Sequence, residues 1–77
     1  MEIMKVAQNT LKSMSGYRDS VRDLKGKEVN HAVWMLNGII DGYIQDEKAH
    51  RWLGYAQGLL VQSNRLRLEQ VKEINRG

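Results

Sequence analysis

Residues 27–42 have the sequence KEVNHAVWMLNGIIDG, and the spacing of their apolar side chains decides the fold. At about 100° per residue, a helix through this stretch gathers one apolar face, formed by Val29, Ala32, Val33, Leu36, Ile39, Ile40 and the following Tyr43. Glycine is favoured just past the C-terminus of a helix. We therefore predict a helix from Lys27 to Gly42, with Gly42 as its C-terminal cap.

The preceding segment carries a seven-residue repeat. Mostly apolar side chains recur at steps of four and three, at Ile3, Ala7, Thr10, Met14, Tyr17, Val21 and Leu24, and this stripe is widened by Val6 and Leu11. Such a repeat is typical of a helix that packs along one side. Because a glycine inside a helix costs about 1 kcal/mol relative to alanine, we predict a first helix from Glu2 to Leu24 that is either continuous or broken at Ser15-Gly16.

Two more helices are predicted after residue 42. Asp46 is a suitable N-cap for a third helix from Glu47 to Gln62, which Ser63-Asn64 should end. Its expected core side chains are Ala49, Trp52, Leu53, Ala56, Leu59 and Leu60. A short last helix is predicted from Leu68 to Asn75. Its side chains expected to face the core are Leu68, Val71 and Ile74. No segment has the alternation of a strand, so we predict one all-α domain over residues 1–77: a small bundle of three longer helices plus a short C-terminal helix.

The composition narrows the classes of function. The chain has 77 residues, a net charge of +3, and neither cysteine nor proline. A domain of this size buries only about 60% of the surface that its unfolded chain exposes, so we expect it to need a partner chain. Without cysteine it has no disulfide and no cysteine-based metal site. The longest apolar run, residues 32–36, is too short to span a membrane, and no apolar signal segment is recognised, so a cytoplasmic location is expected.

Trp34 is a large apolar residue that the core pattern does not use. It lies about 160° from the centre of the apolar face of the second helix, on the side that carries His31, Gly38 and Asp41. Two interpretations stay open. Trp34 packs on the first helix or on the tail of the same chain, or it contacts another protein, since tryptophan is enriched in interface hot spots. Stacking on a nucleic-acid base is a third, less favoured interpretation.

Glycines form a second pattern in the predicted helices. Gly54 and Gly58 lie one turn apart in the third helix, as Gly38 and Gly42 do at the end of the second. Small residues at this spacing allow two helices to approach closely. For Gly54 and Gly58 we therefore predict tight helix packing, either within the chain or across a dimer.

Metal-binding and catalytic patterns are weak. Each histidine belongs to a Glu-x-x-His pair, Glu28 with His31 and Glu47 with His50, which is the spacing found in di-iron helical bundles. Both glutamates, however, lie at predicted helix starts, where the helix dipole alone favours acidic residues, and His31 lies on the side of Trp34 instead of in the core. No nucleophile with a nearby base and no phosphate-binding loop is recognised. We therefore predict no metal site, no cofactor and no enzymatic activity.

The second half of the sequence carries a resemblance. Residues 46–61, DEKAHRWLGYAQGLLV, and residues 68–76, LEQVKEINR, resemble small uncharacterised helical accessory proteins of tailed phages and prophages. Those proteins have a Thr or Ser before the tail helix, where this chain has Arg67, so that cap is not expected here. The resemblance implies a bacterial host cytoplasm and a protein that binds host or phage machinery. It implies no catalytic residues.

We predict a protein-binding module that modulates or inhibits a host or phage protein by docking a helical surface, as a homodimer. The residues predicted to bind the partner are His31, Trp34, Gly38, Asp41, Arg51 and Tyr55. The alternative is a nucleic-acid-binding regulator that uses Arg18, Arg22, Lys25, Arg65 and Arg67. Acidic residues are interleaved with these basic ones, whereas a nucleic-acid surface more often concentrates basic residues on one face. The protein-binding function is therefore favoured, and a membrane is not expected as partner.

Overall fold

A computed structural model of the chain describes residues 2–15 and 26–76, which form four helices. They are α1 (Ile3–Ser13), α2 (Lys27–Ile40), α3 (Asp46–Gln62) and α4 (Leu68–Arg76). The described ranges contain no strand, so the predicted all-α bundle with a short C-terminal helix is confirmed. Helices α1, α2 and α3 pack against one another, and α4 packs against α1. None of these helices is long and apolar enough to cross a lipid bilayer.

The core lies between α1, α2 and α3. Leu36, Ile39 and Leu60 are completely enclosed, and most of the predicted core stripe of each helix is buried around them. Two predicted core residues are exceptions, because Tyr43 is 83% and Leu68 is 55% exposed. Helix α2 ends before Tyr43, which therefore leaves the apolar face. Leu66, two residues before the start of α4, is buried instead.

Helix α1 ends earlier than a continuous first helix would. Its last residue is Ser13, and Met14 already has the extended backbone angles φ −69° and ψ 139°. A continuous helix to Leu24 is therefore wrong, whereas the break near Ser15-Gly16 is close to the observed end. The chain there is bonded to the loop after α3, since the Ser15 N–H donates to the Arg65 carbonyl at 2.7 Å. The repeat positions Tyr17, Val21 and Leu24 lie outside the described residues.

Helices α2 and α3 end in the same hydrogen-bonded turn. After α2, the Tyr43 N–H donates to the Gly38 carbonyl at 3.0 Å and the Gly42 N–H to the Ile39 carbonyl at 3.1 Å. This pattern defines a Schellman turn, and Gly42 has the positive φ of 81° that the turn requires. The predicted cap at Gly42 is confirmed. After α3, Asn64 takes the equivalent position with φ 60°.

The N-termini of α3 and α4 are capped differently from the prediction. Asp46, the predicted N-cap, is the first residue of α3 and has a φ of 59°, while Gln45 precedes the helix in an extended conformation. Before α4, the Arg67 N–H donates to the Gln70 side-chain oxygen at 2.8 Å. A glutamine at the third helical position reaching back in this way is half of a capping box. Gln70 thus satisfies an N–H at the start of α4, although Arg67 offers no hydroxyl cap.

A cluster of polar side chains joins three helices inside the bundle. Gln57 of α3 is 3% exposed, and its Nε2 donates to Thr10 Oγ1 of α1 at 3.1 Å and to Asn75 Oδ1 of α4 at 2.8 Å. Asn75 Nδ2 donates back to Gln57 Oε1 at 3.1 Å, and Thr10 Oγ1 donates to the Val6 carbonyl at 2.8 Å. Among the described residues no buried side-chain N or O atom lacks a partner. We call Thr10, Gln57 and Asn75 the polar cluster.

Candidate docking surface on helices α2 and α3

Four aromatic side chains form a contiguous row across α2 and α3. The rings of Trp34 and Trp52 have centroids 5.3 Å apart and are tilted by 37°. His31 stacks on Trp34 at 5.8 Å with an interplanar angle of 24°, and Tyr55 meets His31 edge-on at 6.2 Å. We call His31, Trp34, Trp52 and Tyr55 the aromatic surface.

The helical repeat explains why these rings meet. His31 and Trp34 are three residues apart on α2, and Trp52 and Tyr55 are three apart on α3, so each pair occupies one side of its helix. Since α2 and α3 pack side by side, the two pairs come together over the seam between them. Stacking does not bury the row, because Trp34 remains 61% and Tyr55 57% exposed.

Trp34 therefore has a partner within the chain and yet remains largely accessible. The intrachain interpretation placed it on the first helix or the tail, but its ring contacts are with His31 of its own helix and Trp52 of α3. Trp52 had been assigned to the core and is only partly buried. The spacing of Trp52 to Tyr55, which matches that of His31 to Trp34, was the signal in the sequence that could have identified it as part of this surface.

One end of the aromatic surface opens into a groove of about 230 Å³. We call it the aromatic groove, and its lining consists of Trp34, Asn37, Gly38, Asp41, Tyr43, Ile44 and Trp52. Gly38 lies close to its opposite walls: a Cβ atom added there would meet Ile44 Cγ1 at 3.5 Å and Trp52 Cζ3 at 3.7 Å. The missing side chain at Gly38 therefore helps to keep this space open.

The opposite end of the row is a shallower depression. It is lined by Lys27, Glu28, His31, Tyr55 and Leu59, at the N-terminal end of α2. Glu28 and His31 of the first Glu-x-x-His pair lie here together, on the surface and beside an aromatic ring. Within the described ranges, no three or more His, Asp or Glu side chains form a group that could hold a metal ion.

Charged groups surround the rings on α3. Lys48 Nζ lies over the Trp52 ring, 5.6 Å from its centroid, which is within the range of a cation–π contact. Arg51 is exposed and lies four residues before Tyr55, on the same side of α3.

The structure thus brings together most of the residues predicted to bind a partner. His31, Trp34 and Tyr55 are in contact with one another through the row, and Gly38 and Asp41 line the groove beside Trp34. Arg51 takes part in none of the ring contacts.

The predicted glycine packing is wrong within the chain. No atom of the described residues lies within 4 Å of a Cβ atom added at Gly54 or at Gly58, because this side of α3 faces away from the other described helices. Packing of these glycines across a dimer stays a prediction.

The alternative nucleic-acid surface falls mostly outside the described residues. Arg18, Arg22 and Lys25 lie in the part of the chain that the structure does not describe. Arg65 is half-buried, and its Nη1 donates to the Ser15 carbonyl at 3.0 Å, so it holds the end of α1 against the loop before α4. Arg67 is exposed on that loop.

Comparison of the chain with protein-family models, with curated proteins and with solved structures finds no match. The resemblance of residues 46–76 to phage and prophage proteins therefore stays a prediction. The function has to be inferred from the aromatic surface itself.

Proposed function

We propose that the chain is a protein-binding module that docks another protein on the aromatic surface of α2 and α3. The observation that supports this is the exposure of Trp34 and Tyr55, 61% and 57%, within a row of ordered rings. A ring of this size that is more than half exposed leaves roughly 100 Å² in water, and covering it contributes on the order of 2 to 3 kcal/mol. Two such rings, one on each side of His31, provide the centre of an interface hot spot.

The order of the row strengthens the proposal. Trp34 is held between His31 and Trp52, so its side-chain rotamer is restricted before any partner arrives. Binding to a restricted side chain loses less conformational entropy than binding to a free one. The rings therefore present a preformed platform for a partner surface.

Residues 46–76 resemble small accessory proteins of phages and prophages. On that basis the partner is a host or phage protein of the bacterial cytoplasm, whose activity the docked chain modulates or inhibits. The open side of α3 at Gly54 and Gly58 is the place where the predicted homodimer would form, since two backbones can approach closely there.

Capture from a bacterial lysate with the tagged full chain tests the proposed function. Trp34→Ala should lower the yield of a specifically captured protein by at least about tenfold. Leu68→Ala is the matched control, because Leu68 is a similarly exposed apolar residue, 55%, that lies on α4. Circular dichroism of each variant establishes that the helices persist. Equal capture by the two variants would contradict the proposal.

A salt series separates the proposed function from nucleic-acid binding. Binding through many phosphate contacts weakens by about three orders of magnitude or more between roughly 50 and 200 mM salt. Docking on stacked aromatic rings should change little over the same range. Recovery of nucleic acid that is lost with salt and unaffected by Trp34→Ala would favour the alternative.

A further inference from the structure

The aromatic groove is chemically different from the rest of the aromatic surface. Its lining is mostly apolar and includes Trp34, Trp52 and Ile44, and one acidic residue, Asp41, also belongs to it. The groove lining includes no lysine or arginine. A flat aromatic wall beside one carboxylate is suited to a flat cation, which can stack on the ring and pair with the acid.

Asp41 lies at the negative end of the α2 dipole. Asp41 is the C-cap of α2, and no basic residue occupies the last turn of that helix. The C-terminus of a helix carries a partial negative charge, so cations are favoured there and a carboxylate is not. No basic residue in the last turn of α2 offsets the charge of the Asp41 carboxylate, so a cation from another molecule is favoured beside it.

We infer that the aromatic groove binds the guanidinium group of an arginine side chain that the partner protein presents. This inference rests on the proposed function and names the chemistry of the partner at one end of the docking surface. Arginine fits better than lysine for two reasons: its planar group stacks on tryptophan and pairs with a carboxylate through two hydrogen bonds, and it is more weakly hydrated than an ammonium group. The guanidinium stacks against Trp34 and donates to the Asp41 carboxylate.

Lys48 already makes a cation–π contact with one of the rings of the aromatic groove, and its charge opposes the binding of a second cation. Lys48 Nζ lies 5.6 Å from the centroid of the Trp52 ring, so an aromatic wall of the groove already holds a cation. The positive charge of Lys48 also repels an arriving guanidinium. Replacing Lys48 with the uncharged glutamine should therefore strengthen binding at the groove, which is the opposite of what replacing Asp41 should do.

Titration of the full chain with an arginine analogue tests the inference directly. The probe is N-acetyl-arginine methylamide, and its control is N-acetyl-citrulline methylamide, in which a neutral urea of the same shape replaces the guanidinium. The chain has two tryptophans and both line the groove, so their indole N–H signals in NMR report on binding. We expect saturable shifts with the arginine analogue, with half-saturation on the order of 10 mM, and none with citrulline at equal ionic strength.

Three variants test whether the charges at the groove determine binding of the arginine analogue. Asp41→Asn should weaken binding of the arginine analogue about fivefold, and Lys48→Gln should tighten it about twofold. Glu69→Gln is the matched control, since it removes an exposed carboxylate of α4 and should change nothing. A second comparison probe is N-acetyl-lysine methylamide, which should bind more weakly than the arginine analogue. Equal shifts with the arginine and citrulline analogues, equal shifts with the arginine and lysine analogues, or no effect of Asp41→Asn would each overturn the inference.

The captured partner distinguishes failure of the inference from failure of the proposed function. If Trp34→Ala abolishes capture while Asp41→Asn leaves it intact, the aromatic surface binds a protein but the groove does not take its arginine. If neither variant affects capture, the proposed function fails as well. Light scattering identifies the remaining occupant: a dimer that Asp41→Asn dissociates would show that a second copy fills the groove, and it would overturn the assignment to a different partner.

Discussion

The two sides of α3 depart from simple core patterning in opposite ways. On one side Gln57, a polar residue, is buried and fully bonded to Thr10 and Asn75. On the other, Trp52 and Tyr55 belong to a row of rings in which Trp34 and Tyr55 remain more than half exposed. The side chains of the polar cluster are fully bonded inside the chain, whereas the rings of the aromatic surface contact one another and still leave Trp34 and Tyr55 largely uncovered. Hence the first is expected to determine stability and the second to determine binding.

Gln57→Ala should produce the largest loss of stability. It removes three side-chain hydrogen bonds and leaves the Asn75 amide without its bonded partner in a part-buried site. We expect the free energy of unfolding to fall by about 2 to 3 kcal/mol, measured by urea denaturation. Because the aromatic surface lies elsewhere on α3, partner capture by the folded fraction should be unchanged.

Gln62→Ala is the control for this substitution. Gln62 is an exposed glutamine at the end of the same helix, so its replacement should change stability by no more than about 0.5 kcal/mol. Similar losses for the two variants would mean that the polar cluster contributes nothing specific.

The bounds of the helices could be predicted well from the sequence, but the contacts between side chains of different helices could not. The predicted α2 and α3 differ from the observed helices by two residues or fewer at each end, because helical periodicity and turn residues are local signals. Burial of Gln57 depends on Thr10, 47 residues away, and on Asn75, 18 residues away. Only the tertiary arrangement brings these residues together, and periodicity does not contain it.

In the candidate site, too, features of a single helix could be predicted and contacts between helices could not. Trp34 and Tyr55 were predicted as binding residues because they lie outside the core stripes, and that reasoning uses one helix at a time. Trp52 lies at the edge of the core stripe of α3, and only the position of α2 decides whether its ring turns inward or joins Trp34. Leu66 was missed because the turn after α3 directs it inward: its N–H donates to the Leu60 carbonyl at 3.2 Å.

Gly38→Ala should weaken binding while slightly raising the stability of the fold, a smaller change in stability than that of Gln57→Ala. Alanine is favoured over glycine in a helix by about 1 kcal/mol, and the new Cβ would make ordinary contacts with Ile44 and Trp52 at 3.5 and 3.7 Å. We expect the free energy of unfolding to rise by up to about 1 kcal/mol. The same methyl group narrows the aromatic groove, so partner capture and the shifts caused by the arginine analogue should decrease.

Gly54→Ala is the matched control for Gly38→Ala. Its Cβ would meet no atom of residues 2–15 and 26–76 within 4 Å, so the gain in stability should be similar and the groove should be unaffected. Light scattering of this variant also tests the predicted dimer, because a close contact of α3 with a second copy at Gly54 would be weakened by the added methyl group. Equal effects of the two variants on capture would show that the groove is not part of the docking site.

The smallest change in the free energy of unfolding is expected from substitutions at the positive-φ residues of the two Schellman turns. Gly42, beside the aromatic groove, and Asn64, after α3, hold equivalent positions with φ of 81° and 60°. A side chain at positive φ is strained, and asparagine tolerates this better than most residues but less well than glycine. Asn64→Gly should therefore raise the free energy of unfolding by a few tenths of a kcal/mol and up to about 1, whereas Gly42→Asn should lower it by a similar amount. Urea denaturation of the two variants measures both changes. A loss of stability in Asn64→Gly would mean that the asparagine side chain makes a contribution at this turn beyond tolerating its backbone conformation.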